Sequence, residues 1–130
     1  MENTEKKYSL LLVEDDKFLL DMYAIKFNET VFDVTPATSA SDGLTKLEEG
    51  LDPDIILTDI VMPTMDGFEF LAELGKRNLG KRAVKIILSN LGQKEDIEKG
   101  KQLGASGYII KATSTPSETV QKILEIIEQK

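Results

Sequence analysis

The chain has no cysteine and no histidine. The first absence excludes disulfides, thiolate metal sites and thiol catalysis. The second excludes imidazole-based triads, histidine-ligated zinc and a histidine general base. Long apolar runs are missing too: none approaches the roughly 20 residues of a membrane-spanning helix. The start, Met1–Lys7, is polar and of mixed charge, unlike a secretory signal. A cytoplasmic location is the expectation that follows by elimination. Positive charge is in deficit, since 16 Lys and Arg face 23 Asp and Glu for a net charge of −7. That balance gives little general attraction for nucleic acid or an anionic membrane, and neither is expected as a partner. One basic stretch stands apart: Lys76, Arg77, Lys81, Arg82 and Lys85. It reads first as a solvated loop and second as a contact for an acidic partner.

What is present fits one domain of 130 residues, long enough for a core. Short apolar runs alternate with longer amphipathic stretches, and this β-α rhythm implies a parallel sheet with helices on both faces. Strands are expected at Tyr8–Val13, at Phe32–Thr35 where Pro36 ends the run, at Asp54–Thr58, at Val84–Leu88 and at Gly107–Ile110. The third and fourth are continuously apolar inside, as strands buried on both faces must be. Helices are expected at Lys17–Asn28, at Ala40–Glu49 with Ser39 as N-cap, at Gly67–Leu74 and at Gln93–Leu103. A fifth opens at Thr115-Pro116-Ser117-Glu118, where Thr115 fits the N-cap, Pro116 the first helical position and Glu118 a capping box. The fourth helix is unusual. Ile97 and Leu103 are its only large apolar residues, and Gly100 costs about 1 kcal/mol relative to alanine. It should be the least stable helix, either a polar rim or an element that can shift. Residues 1–7 are expected to form a tail.

The chemistry-bearing side chains come at the C-terminal ends of these strands. Glu14, Asp15 and Asp16 follow the first, Asp59 the third, Ser89 the fourth and Lys111 the fifth. In an open parallel sheet those ends line one crevice, where ligands bind. Adjacent carboxylates are costly to bury without a cation. One of the three acids can cap a helix at its positive end, and Asp16 is the best placed. The others suit a hard cation with oxygen ligands, and magnesium binds through one or two carboxylates while keeping several waters. Asp59 opens a turn-rich loop containing Pro63 and Asp66-Gly67, which presents it at the mouth of the crevice. A carboxylate can act as a nucleophile toward phosphorus and form an aspartyl-phosphate. Such a transfer needs positioning and charge neutralisation more than acid-base chemistry. Lys111 offers a mobile positive charge and Ser89 a hydroxyl for phosphoryl oxygens. Each signal alone is weak, but the ordered set is specific.

On these residues the chain resembles the response-regulator receiver domains of two-component, His-Asp phosphorelay signalling, over essentially its full length. Glu14 and Asp15 match the family's acidic pair, Asp59 its phospho-accepting aspartate, Ser89 its Ser/Thr switch, Lys111 its lysine and Tyr108 its aromatic switch position. The resemblance implies a flavodoxin-like, doubly wound α/β fold with five helices and a five-stranded parallel sheet ordered 2-1-3-4-5. It implies Mg2+ held by Asp15, Asp59 and the main-chain carbonyl of Val61, with Glu14 acting indirectly. It implies a phosphodonor histidine on a histidine kinase or histidine phosphotransfer protein. Output is implied through helix 4, strand 5 and helix 5 to a downstream protein. Catalysis is implied only toward the protein's own Asp59, so the chain is not expected to be an enzyme in the usual sense. A single receiver domain over residues 1–130 is expected, either stand-alone or cut from a longer chain.

Two positions depart from the family pattern. Asn90 follows the switch serine where a small residue is usual, and it is expected to narrow access to Asp59. Ala112 follows the lysine where proline is usual. A cis bond without proline costs about 2.5–4 kcal/mol, so the Lys111–Ala112 bond is expected to be trans. Three rivals fit less well. A haloacid-dehalogenase-type phosphatase needs a second aspartate two residues after the nucleophile, and Val61 stands there. A flavodoxin-like FMN binder needs a phosphate loop after strand 1, where this chain carries three acids. A receiver degenerate in its chemistry is opposed by the intact Asp15, Asp59 and Lys111.

Overall fold

Leu10 and Leu12 point to one side of the first strand, Tyr8–Val13, and Leu11 and Val13 to the other, and all are at most 1% exposed. Both sides of this sheet are therefore covered, as a parallel sheet requires. The computed structural model describes residues 5–129. The strands are β1 (Tyr8–Val13), β2 (Phe32–Ala37), β3 (Ile55–Thr58), β4 (Val84–Ser89) and β5 (Ala105–Ile110). The helices are α1 (Lys17–Asn28), α2 (Ala40–Glu48), α3 (Gly67–Arg77), α4 (Lys94–Gln102) and α5 (Pro116–Glu128). A short 3-10 turn, Lys111–Thr113, links β5 to α5. All strand pairs are parallel, in the order β2-β1-β3-β4-β5. One core joins Leu10, Leu12, Ile55 and Leu57 to Leu20, Tyr23 and Phe27 of α1 and Ile123 of α5. The other joins Leu11, Val13, Ile56 and Ile87 to Leu44 of α2 and Phe70 and Leu74 of α3.

The chain leaves β1 toward β2 and returns on the other side as β3. The ends of β1 and β3 thus form the switch point of the sheet, the place where doubly wound folds open a crevice. Asp59 N–H donates to the Val13 carbonyl at 3.1 Å, so β3 delivers Asp59 beside the acids after β1. Asp16 is the N-cap of α1, accepting from Leu19 N–H at 3.1 Å, as its position suggested. Ser39 and Thr115 cap α2 and α5, and the α5 capping box with Glu118 is formed.

Several boundaries differ from the sequence expectation. β2 does not stop before Pro36 but continues to Ala37, with Pro36 in register with Leu12. β2 is an edge strand, and there the missing N–H can face away from the ladder. α3 runs to Arg77 rather than Leu74, supported by an Arg77–Glu73 pair at 2.7 Å and a left-handed Asn78 cap. β5 begins at Ala105. A register shift sets Lys85 opposite Ala105 and Ile86 opposite Gly107, passing over Ser106 in the strand register, and this hides the alternation of the strand. Of the expected tail, residues 1–4 lie outside the described residues. Lys7 is tied by its N–H to the Val31 carbonyl at 2.8 Å, so the remainder lies along the domain. The basic stretch is largely internally paired: Arg77 meets Glu48 and Glu73, and Arg82 meets Asp52 and Asp54.

Glycine decides the fit at two places near the crevice. Gly100 lies against β4, where a Cβ would stand 2.6 Å from Ile87 Cδ1. This explains a glycine inside α4, whose only buried residue it is. Gly67 opens α3, and its N–H closes the loop onto the Ile60 carbonyl at 2.8 Å. A Cβ there would lie 2.8 Å from Ile60 Cα and closer still to the Asp59 carbonyl oxygen. Gly67→Ala should therefore displace the backbone that carries Asp59 and lower stability by about 2 kcal/mol, as overpacking does. Chemical denaturation measures this, and a variant as stable as the wild type would contradict the packing described.

Candidate functional site

Three strand ends converge on one ammonium. Lys111, the first residue past β5, donates from Nζ to Glu14 Oε1 at 2.7 Å and to Asp59 Oδ2 at 2.9 Å. Glu14 is 2% exposed and Asp59 8% exposed. Two carboxylates so deeply placed need compensation, and the ammonium supplies it to both. The remaining oxygens are also engaged. Asp59 Oδ1 accepts from Ile60 N–H at 2.7 Å, and Glu14 Oε2 accepts from Asp16 N–H at 3.1 Å. Asp15, between Glu14 and the cap residue Asp16, turns to solvent at the rim. Carboxylate oxygens of Glu14, Asp15 and Asp59 lie within 4.8 Å of one another. An all-oxygen, anionic donor set with one member facing water fits a hard divalent cation such as magnesium. Val61 follows two residues after Asp59 on the same loop, with its side chain exposed.

The electrostatics follow from burial and from the shared ammonium. Desolvation raises the Glu14 carboxyl above its ordinary value, although its hydrogen bonds to Lys111 and Asp16 pull the other way. Burial works against charge on Lys111. Its hydrogen bonds to Glu14 and Asp59 and the attraction of both carboxylates outweigh that, so its ammonium is held above the ordinary lysine value. Lys111 is therefore a fixed cation across physiological pH.

The expected switch residues lie beside this centre. Ser89 is 1% exposed, and its hydroxyl accepts from Leu91 N–H at 3.3 Å. Among the described residues no hydrogen bond joins Ser89 to Asp59. The Tyr108 hydroxyl donates to the Leu91 carbonyl. Burial, with Asp96 and Asp59 nearby, pushes this phenol up to about 12. Leu91 thus engages both Ser89 and Tyr108 through its main chain, a contact that its residue type does not announce. Glu14 is also a direct hydrogen-bond partner of Lys111. The Lys111–Ala112 bond is trans, as expected. The Asn90 side-chain oxygen accepts from Ala112 N–H at 2.8 Å.

Removing the ammonium should expose the cost of the two buried carboxylates. Lys111→Met should lose about 3 kcal/mol at neutral pH, the usual result of breaking one side of a buried pair. The folded-state value of Lys111 is raised, so its stabilising contribution is complete below the unfolded value near pH 10.4. It is lost as pH climbs through the raised folded value. Denaturation of both proteins between pH 7 and 12 should show a gap that closes only at the alkaline end. A gap that stays constant, or none at pH 7, would contradict this assignment.

The family model for the response regulator receiver domain matches residues 10–124. The chemotaxis protein CheY of Halobacterium salinarum is 34% identical over 110 residues, covering 83% of this chain and 88% of CheY. The nitrate/nitrite response regulator protein NarL of Escherichia coli is 36% identical over 113 residues, covering 85% of this chain but 50% of NarL. The chain thus spans most of the one relative and half of the other. Among solved structures, the receiver domain of a Francisella response regulator superposes with a TM-score of 0.82 at 28% identity, covering 95% of this chain and 98% of that one. A CheY-like receiver domain protein from Methanospirillum hungatei superposes with a TM-score of 0.81 at 29% identity, with 97% of each chain covered. The sheet order, the helices on both faces and a match along nearly the whole sequence agree: the chain belongs to the response regulator receiver domains of two-component signalling.

Proposed function

We propose that the protein accepts a phosphoryl group on Asp59 in a magnesium-dependent step. The observation that carries this reading is the Lys111 ammonium bridging Asp59 and Glu14 beside Asp15. Receiver domains are signalling domains rather than turnover enzymes, and the only chemistry proposed here is at the protein's own Asp59. The donor is a phosphohistidine on a histidine kinase or histidine phosphotransfer protein. An Asp59 carboxylate oxygen attacks phosphorus while the bond to the imidazole nitrogen breaks. The imidazole leaves with that electron pair and takes up a proton. Asp15, Asp59 and the Val61 carbonyl would hold the magnesium ion, with Glu14 contributing indirectly. Bound there, it supplies neutralisation of the charge on the transferring phosphoryl oxygens. Lys111 pairs with one of those oxygens, and Ser89 donates its hydroxyl to another.

Output follows from the switch side chains. Ser89 moving toward the phosphoryl group withdraws the acceptor used by Leu91 N–H. The Leu91 carbonyl shifts with it, and the Tyr108 ring is released to turn inward. The surface of α4, β5 and α5 then changes for a downstream protein. With a net charge of −7, these residues are suited to protein partners rather than nucleic acid. Among the described residues no helix is long and apolar enough to cross a membrane, and the proposed setting is the cytoplasm. Residues 1–130 are proposed to act as one receiver domain.

With magnesium and a small phosphodonor, intact mass should rise by one phosphoryl group, about 80 Da, consistent with a single nucleophile. Asp59→Asn should show no gain. Asp15→Ala should need far more magnesium. Asp16→Ala should lose only a helix cap, about 1 kcal/mol, and label normally. Labelling that persists in Asp59→Asn would overturn the assignment, and a stronger effect at Asp16 would move the metal site.

A second measurement reads the switch. Amide hydrogen exchange with and without a phosphoryl mimic should differ most over Leu91–Gly107, the segment from the switch loop through α4. A uniform change, or none, would remove support for output through this face.

A further inference from the structure

The loop after β4 and the loop after β5 are joined by one side chain. Asn90 Oδ1 accepts from Ala112 N–H at 2.8 Å across 22 residues of sequence. Lys111–Thr113 form a 3-10 turn that begins at Lys111 itself. The first N–H groups of any helical turn have no partner inside it. The residue before this turn, Ile110, provides no side-chain cap. Asn90 fills that position from the loop after β4. Two other hydrogen bonds that close this turn are long: Thr113 Oγ1 donates to the Ile110 carbonyl at 3.3 Å, and Ser114 N–H to the Lys111 carbonyl at 3.3 Å.

The backbone so held carries Lys111, whose Nζ must stand within hydrogen-bond distance of both Glu14 and Asp59. We propose that Asn90 is a positioning residue for Lys111: by capping Ala112 N–H it sets the main chain from which the ammonium reaches Asp59. The bond exists only because residue 112 has an N–H, which proline would lack. The two departures noted in the sequence therefore act together. A polar side chain after the switch serine and a non-prolyl residue after the lysine form the two halves of one contact. Asn90 is adjacent to Ser89, so the same contact links movement of the serine to the lysine loop.

This inference rests on the proposed phosphorylation of Asp59, and two measurements keep the readings separate. The first is the rate of Asp59 phosphorylation by acetyl phosphate at saturating magnesium. Asn90→Ala should slow it about tenfold, since displacement of a reacting group by about 1 Å can cost up to about 100-fold. Magnesium affinity should be unchanged, because Asn90 touches none of the carboxylates. Asn90→Asp, which keeps an acceptor oxygen, should recover part of the loss. In a Lys111→Ala background Asn90→Ala should have no further effect, which general loosening of the loop would not reproduce. Equal slowing with and without Lys111 would overturn the proposal. The second measurement is a crystal structure of Asn90→Ala, which needs no chemistry. Lys111 Nζ should withdraw from Asp59. An ammonium still 2.9 Å from Asp59 Oδ2 would overturn the proposal even if phosphorylation proceeds. A wild-type protein that takes up no phosphoryl group would overturn the function proposed above, and the crystal structure alone would then decide the role of Asn90.

Discussion

One ammonium group makes the crevice possible. Glu14 and Asp59 come from segments far apart in sequence, and each is almost wholly removed from water. Without Lys111 the two anions would repel each other in a poorly solvated space, and one would have to take up a proton. The cost of burial is visible in Glu14, whose carboxyl is raised despite its partner. With Lys111 in place, the ends of β1, β3 and β5 are tied at a single atom. The remaining features are arranged around that tie. Asp16 caps α1 next to Asp15 at the rim, and Gly67 lets α3 start against the backbone of Asp59.

The same tie suits the site to the phosphoryl transfer proposed for it. Carboxylates alone would repel a phosphate, and a lysine alone would hold one without activating an acceptor. Here an anionic donor set for a hard cation and a fixed cation share one carboxylate, Asp59. A transferring phosphoryl group needs positive charge on several sides, and this site can supply it from two independent sources. In the proposed switch, movement has a route outward. Leu91 engages Ser89 through its amide and Tyr108 through its carbonyl, and Asn90 engages the lysine loop. Every one of these contacts is a single hydrogen bond with a main-chain partner, a type of link that can break and re-form without unpacking the core.

Much of this was legible in the residues. The strand ends could be matched to Asp15, Asp59, Ser89 and Lys111 because a parallel doubly wound sheet forces those ends to one side. The caps at Asp16, Ser39 and Thr115 were legible because short polar side chains before an amphipathic run have one local use. The misjudged boundaries have local causes. Pro36 does not end β2, because an edge strand has a free side. The start of β5 was hidden because Ser106 lies outside the register. Gly100, a weakness of α4 by helix propensity alone, is required by the close approach to Ile87. What could not be read at all were side chain to main-chain contacts over long separations. Nothing about leucine marks Leu91 as the partner of both Ser89 and Tyr108. Asn90 and Ala112 appeared as two separate departures, yet they are the acceptor and donor of one bond.

The central claim is that Asp59, and no other carboxylate of the crevice, becomes the acyl phosphate. Borohydride reduction after treatment with magnesium and a phosphodonor tests it directly, because hydride converts an aspartyl-phosphate to homoserine and leaves free carboxylates intact. Peptide sequencing by mass spectrometry should then find homoserine at position 59 while Glu14, Asp15 and Asp16 are unchanged. Homoserine at Asp15 or Asp16, an altered Glu14, or no reduced residue at all, would contradict the account.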